Sequence, residues 1–243
     1  MKKLLFVILC LFGIFPFHSA WSGTDTKIMV LGDSLSAGYG LPSGTGWVNL
    51  LERRLQDQSA DYKVINISIS GEITLGGRKR IEQALKSNEP DIVIVALGAN
   101  DGLQGHSISS IYENLEAIIL TCKQYKATPL LISMQLPPNY GISYTRKFHD
   151  LYSRLARKEH LQLAPFLMEG FGDQPEFFQP DGIHPTAQAQ EKMLDNIWPA
   201  LISVLKSRQV QSFTISKHSA NTITAITDKN KIRLLHHPDQ DLS

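Results

Sequence analysis

Ile92-Val93-Ile94-Val95-Ala96-Leu97 is a run of six apolar residues without polar alternation, and it stops at Gly98-Ala99-Asn100-Asp101-Gly102-Leu103. A strand with one face in water alternates polar and apolar side chains, so an unbroken apolar run implies burial on both faces, as in a parallel sheet covered by helices. Four more strand-like runs accompany it, at Lys27–Leu31, Tyr62–Ile67, Pro129–Met134 and a short Leu161–Leu163. Between them lie helix-length segments with apolar residues three and four apart. Ile111, Leu115, Ile118 and Ile119 make one such stripe, and Leu194, Ile197, Leu201 and Leu205 make the last. Alternating strands and helices predict a three-layer α/β/α domain around a central, mostly five-stranded parallel sheet. In open sheets of this kind, sites form beyond the carboxyl ends of the strands. Ser34, Gly71 and Asn100 each fall just past such an end.

The segment after the first strand reads Gly32-Asp33-Ser34-Leu35-Ser36, and near the other end of the pattern stands Asp181-Gly182-Ile183-His184-Pro185. A serine hydroxyl is a weak nucleophile until a base takes its proton, and the base needs a partner that holds its tautomer and steadies its charged form. Ser34, His184 and Asp181 supply those roles in the order Ser, Asp, His. An imidazole ordinarily titrates near pH 6.5, which suits a general base at neutral pH. Pro185 ends the extended stretch and favours a helix start at about Thr186. Asp33 reads as a turn-bracing residue, and Asp101 as a local cap. The remaining histidines downstream of residue 22 (His106, His149, His160, His218, His236 and His237) lack an acid-turn-histidine context. No metal site, phosphate-cradling glycine loop or cofactor motif is found, so cofactors are expected to be none.

Two intermediate blocks, Ser68-Ile69-Ser70-Gly71-Glu72-Ile73-Thr74 and the Asn100 block, complete a set of four. The set resembles the SGNH hydrolase family, also called GDSL esterases, named for the residues that match Ser34, Gly71, Asn100 and His184. The resemblance runs from about residue 27 to about residue 205. Gly32 to Gly40, Leu136-Pro137-Pro138-Asn139-Tyr140-Gly141 and the block spacing make it closest to the branch called acyl-CoA thioesterase I, lysophospholipase L1 or arylesterase. The resemblance implies a flavodoxin-like sheet and an oxyanion hole built from the backbone N–H of Ser34, the backbone N–H of Gly71 and the side-chain amide of Asn100. Glycine lets the backbone approach a substrate closely, and an asparagine NH₂ donates without acting as a base. Ala99 departs from the glycine often found there.

The chain has 243 residues, and its ends differ from its middle. Lys2-Lys3, the apolar stretch Leu4–Phe17, then Ser19-Ala20 and Ser22-Gly23 are laid out as a secretory signal peptide, too short for a membrane span. Cleavage fits after Ala20 or after Ser22, and residues 1–22 are assigned to it. Cys10 belongs to the apolar stretch. Removing the leader changes 24 basic against 23 acidic residues to 22 against 23, which leaves no basic excess for nucleic acid or an anionic membrane. Cys122 is then the one cysteine left, so no internal disulfide is expected and the core must supply the stability. Residues 23–206 are expected to form one hydrolase domain. Residues 207–243 are rich in Ser, Thr, Lys, Asn and Gln and are expected to be a loosely ordered polar extension, in which Thr222–Thr227 alternates like a strand without an obvious partner.

The expected function is an exported serine esterase, periplasmic or secreted, that cleaves carboxylic esters and thioesters through an acyl-enzyme. The resemblance implies lysophospholipids, acyl thioesters and short-chain or aryl esters as substrates. A carbohydrate O-deacetylase and a catalytically silent binding module are the alternatives on the same fold. The expected partner is a small-molecule ester or lipid, with no nucleic acid, no membrane span in the mature chain and a monomeric state. Gln135 to Gly141 begins where the fourth strand ends, at the same rim as Ser34. Leu136 and Tyr140 offer apolar surface and Pro138 stiffens the backbone, so Leu136, Pro138 and Tyr140 are expected to bind substrate; the bland alternative is a packed connector.

Overall fold

The computed structural model describes residues 25–59, 61–208 and 210. Five strands, β1 (Thr26–Gly32), β2 (Tyr62–Asn66), β3 (Ile92–Ala96), β4 (Thr128–Ile132) and β5 (Gln162–Ala164), form one all-parallel sheet in the order β2-β1-β3-β4-β5. All five runs read from the sequence are strands. β3 is buried along its whole length, as its unbroken apolar run required. Edge strand β2 has no fully buried residue and carries the mixed sequence Tyr-Lys-Val-Ile-Asn.

Helices cover both faces. α1 (Ser34–Ala37) and α2 (Trp47–Gln56) follow β1, and α3 (Thr74–Asn88) follows β2. α4 (Ala99–Leu103) and α5 (Ile108–Gln124) follow β3, α6 (Ile142–Lys158) follows β4, and α7 spans 190–208. α3 packs on α5, and α5 on α6. α2 lies with α7, where Arg54 bonds Glu191 at 2.6 Å and Asp195 at 2.7 Å. Trp47, Leu51 and Leu55 repeat every four residues on α2 and are fully buried. Burial of each such side chain contributes about 1.5–3 kcal/mol, far more than those surface ion pairs. The stripes expected on α5 and α7 are buried too.

Two helix starts without a cap of their own are closed from a distance. Gly46 precedes α2, and the free N–H of Trp47 donates to Gln190 Oε1 at 2.9 Å. Ile73 precedes α3, and Thr74 donates its N–H and its hydroxyl to Asp101 at 2.8 and 2.6 Å. Asp101 therefore caps another helix rather than its own turn. The final helix starts at Thr186, as expected, through a 3₁₀ turn, Ala187–Ala189, that runs directly into the α-helix from residue 190. It continues to 208, where Arg208 bonds Asp91 at 2.7 Å and Thr128 at 2.9 Å. The expected leader 1–22 and nearly all of the expected extension lie outside the described residues. Among the described residues, no helix is long and apolar enough to cross a membrane.

The strand order reverses between β1 and β3, one connection leaving towards β2 and the others towards β4 and β5. Gly32 and Ala96 pair across that point, the crevice where open sheets hold their ligands. Ser34 and Asn100 leave the sheet on its two sides.

Candidate active site

Ser34 is the first residue of α1, a single turn entered through Asp33. Asp33 Oδ1 accepts from Leu35 N at 3.0 Å and caps that turn. The carboxyl is almost wholly buried and Oδ2 has no partner, so desolvation pushes its pKa up to about 6 despite the Leu35 bond. Gly32 gives this turn its room: a Cβ there would lie 2.6 Å from Ser36 Oγ. Asn66 Nδ2 donates to Ser36 O at 2.7 Å and ties the end of β2 to α1.

Gly71 lies in the turn that follows β2. This segment stays alongside β1, with Ile67 N donating to Val30 O and Ile69 N to Gly32 O, both at 3.0 Å. Gly71 has φ +78°, a left-handed backbone that favours glycine. Its neighbour Glu72 is clamped by both ends of the Arg80 guanidinium. Asn100, on α4, donates from Nδ2 to Glu72 O at 3.0 Å and so joins the third block to the second.

The histidine block is a self-contained turn. Asp181 Oδ1 accepts from Ile183 N at 2.9 Å and His184 N at 3.0 Å, while Oδ2 lies 2.8 Å from His184 Nδ1. The His184 and Ile183 amides and then the imidazole hold the Asp181 carboxyl down to about 2. With Nδ1–H directed at that carboxylate, Nε2 presents its lone pair, and Nε2 lies 2.9 Å from Ser34 Oγ. Ser34, His184 and Asp181 thus form one chain of hydrogen bonds, and Gly71 and Asn100 are linked through Glu72.

Leu136, Pro138 and Tyr140 are positioned differently. Leu136 is half-buried and packs over α4, since a Cβ on Gly102 would lie 2.7 Å from its Cδ2. Pro138 and Tyr140 occupy an exposed 3₁₀ turn, Pro138–Tyr140. Among the described residues, no hydrogen bond or ring contact connects these three side chains to Ser34, His184 or Asn100.

Two residues beside the triad went unnoticed in the sequence. The Tyr39 ring lies 4.5 Å from the His184 ring, tilted by 39°. Gln179 bonds the loops of Ser34 and His184 to each other. Tyr39 had a signal, its place between Gly38 and Gly40 just after the serine; Gln179 had none.

The profile of the GDSL-like Lipase/Acylhydrolase family matches residues 30–192. The chain belongs to that family. Ester hydrolysis is the chemistry that membership assigns to it. Esterase TesA of Pseudomonas aeruginosa is 42% identical over 178 residues, covering 73% of this chain and 89% of that one. The Escherichia coli protein named thioesterase 1/protease 1/lysophospholipase L1 is 38% identical over 174 residues, covering 72% and 82%. The crystal structure of the esterase EstA from Pseudoalteromonas, inhibited by monoethylphosphonate, superposes with a TM-score of 0.72 at 34% identity, covering 75% of this chain and all of that one.

Proposed function

We propose that the chain is an exported serine esterase in which Ser34, His184 and Asp181 carry the chemistry. Ser34 Oγ attacks the carbonyl carbon of a carboxylic ester or thioester while its proton passes to His184 Nε2. Asp181 steadies the imidazolium through Nδ1. Negative charge collects on the former carbonyl oxygen, which the backbone N–H groups of Ser34 and Gly71 and one N–H of Asn100 receive. An amide NH₂ has two hydrogens, so the bond to Glu72 leaves one for this task. The intermediate collapses, Nε2 returns the proton to the departing alkoxide or thiolate, and the acyl group stays on Ser34. Water, deprotonated by Nε2, then releases the acid.

One observation carries the reading: the continuous line from Asp181 Oδ2 to His184 Nδ1 at 2.8 Å and from Nε2 to Ser34 Oγ at 2.9 Å. The phosphonate inhibition of the Pseudoalteromonas relative supports the same chemistry here. The test is labelling with a fluorophosphonate. The intact protein takes the label, whereas Ser34→Ala loses both label and esterase turnover yet keeps its fold. A variant that still labelled would remove Ser34 from the role.

The natural substrate on this reading carries an acyl chain, as in lysophospholipids, thioesters and short-chain or aryl esters. Six of the eight exposed large apolar side chains among the described residues support it: Tyr39, Ile69, Leu75, Tyr140, Ile142 and Ile183 lie in the loops and first helical turns beyond the strands, while Leu120 and Val210 lie far along α5 and at the end of the chain's last helix. Carbohydrate O-deacetylation is the competing outcome of an ester panel. Residues 1–22 act as the signal peptide, and the hydrolase domain expected over 23–206 extends to Arg208, which bonds Asp91 and Thr128; the residues beyond act as an appended polar segment, in a protein that works as a monomer.

A further inference from the structure

The loop that carries His184 is closed on itself. Gln179 N donates to His184 O at 2.8 Å, Gly182 N to Gln179 O at 2.9 Å and Thr186 N to Phe177 O at 2.7 Å. Phe178 and Pro185 form an antiparallel bridge. These bonds shape the turn but do not place it against Ser34. Between residues 177–186 and 33–41, two hydrogen bonds cross among the described residues. One is Nε2 of His184 to Ser34 Oγ, which breaks and reforms in each cycle. The other is Gln179 Nε2 to Tyr39 O at 2.9 Å.

The second hydrogen on the same Nε2 goes to Pro185 O at 3.1 Å, next to the histidine itself. One donor of the amide therefore ties the histidine loop to the serine loop, and the other fixes the side chain to its own loop beside His184. Its seat is specific. Gly40 has φ +71°, and a Cβ there would lie 2.1 Å from Gln179 Oε1. Tyr39, whose carbonyl takes the bond, also lays its ring against His184. We propose that Gln179 is a positioning residue that holds His184 at attack distance from Ser34 by clasping Tyr39 O and Pro185 O, with its amide seated against Gly40. This inference rests on the serine-esterase reading. Gln179 touches no reacting atom; it fixes the loop on which the base is mounted, and small displacements of such groups cost rate rather than binding.

The test compares Gln179→Met, which keeps length and bulk but has no donors, with the parent protein. Fluorophosphonate labelling is followed to completion, so the amplitude counts folded sites and the rate reads their geometry. The expected result is full amplitude with a labelling rate and kcat lower by roughly 10-fold, the scale of one hydrogen bond's net free energy expressed in the barrier, and KM within about twofold. A Met variant that labels at the parent rate overturns the clasp, because shape alone then suffices. Failure of the parent itself to label sinks the serine-esterase reading instead, so the two failures are distinct.

Discussion

Asn100 Nδ2 lies 3.0 Å from Glu72 O, so a side chain at the carboxyl end of β3 braces the turn that presents Gly71 beyond β2. The proposed oxyanion donors are coupled through that bond, and the Arg80 clamp on Glu72 extends it into α3. Removal of the amide would take away one donor and loosen the turn that holds another.

Asn100→Ala is therefore expected to lower kcat by about 10²–10³-fold, with a smaller change in KM. Steady-state kinetics on one ester measures both. A loss confined to KM would assign Asn100 to ground-state binding and remove it from the oxyanion hole.

kcat/KM is expected to rise with pH from 5 to 8, because only a neutral imidazole accepts the serine proton. Asp181, held down to about 2 by the His184 and Ile183 amides, stays ionised across that whole range and contributes no step of its own. The sign for stability follows from the same lowered pKa. Whatever Asp181 adds is present above its ordinary value of 3.8 and disappears as pH falls through about 2. A flat activity profile would count against His184 as the base.

Asp33 acts in the opposite direction. Its pKa is raised from 3.8 to about 6, so between those values the folded state keeps a proton that the unfolded chain releases. Stability from this group is full below pH 3.8 and is lost as pH rises through about 6, on the scale of about 3 kcal/mol. Asp33→Asn keeps an acceptor for Leu35 N without the titration. Urea unfolding from pH 4 to 7 should show the parent losing stability relative to Asp33→Asn as pH rises. A constant difference between the two would mean that Asp33 does not carry a buried charge.

Tyr140→Ser is expected to shift relative kcat/KM between short- and long-chain esters and leave fluorophosphonate labelling nearly unchanged. Each CH₂ moved from water to an apolar wall contributes up to about 0.8 kcal/mol, so the shift should grow with chain length. Leu136→Ala should also destabilise, because that side chain packs over Gly102 as well as bordering the rim. An equal loss at every chain length would make the segment scaffolding.

Much of this architecture follows from local rules that a sequence exposes. Six apolar residues at Ile92–Leu97 leave a strand no face for water, and the i, i+4 stripe on α2 demands a core beneath it. Asp181 and His184 are three residues apart on one turn, so their contact is local and legible. Even there, polar composition hid the continuation of α7 to 208, because the bonds that hold its end come from Asp91 and Thr128, far away in the chain.

What the tertiary structure decided is everything that crosses between blocks. Ser34 and His184 stand 150 positions apart, and no spacing rule reports 2.9 Å between them. Their meeting depends on the order β2-β1-β3-β4-β5, which opens the crevice beside β1, and on α7 packing against α2. The unpartnered Oδ2 of Asp33, the Asn100–Glu72 brace and the Gln179 clasp are consequences of that packing. Hydrophobic periodicity is a property of neighbours in sequence, while burial of a charge and the partner of an amide are properties of neighbours in space.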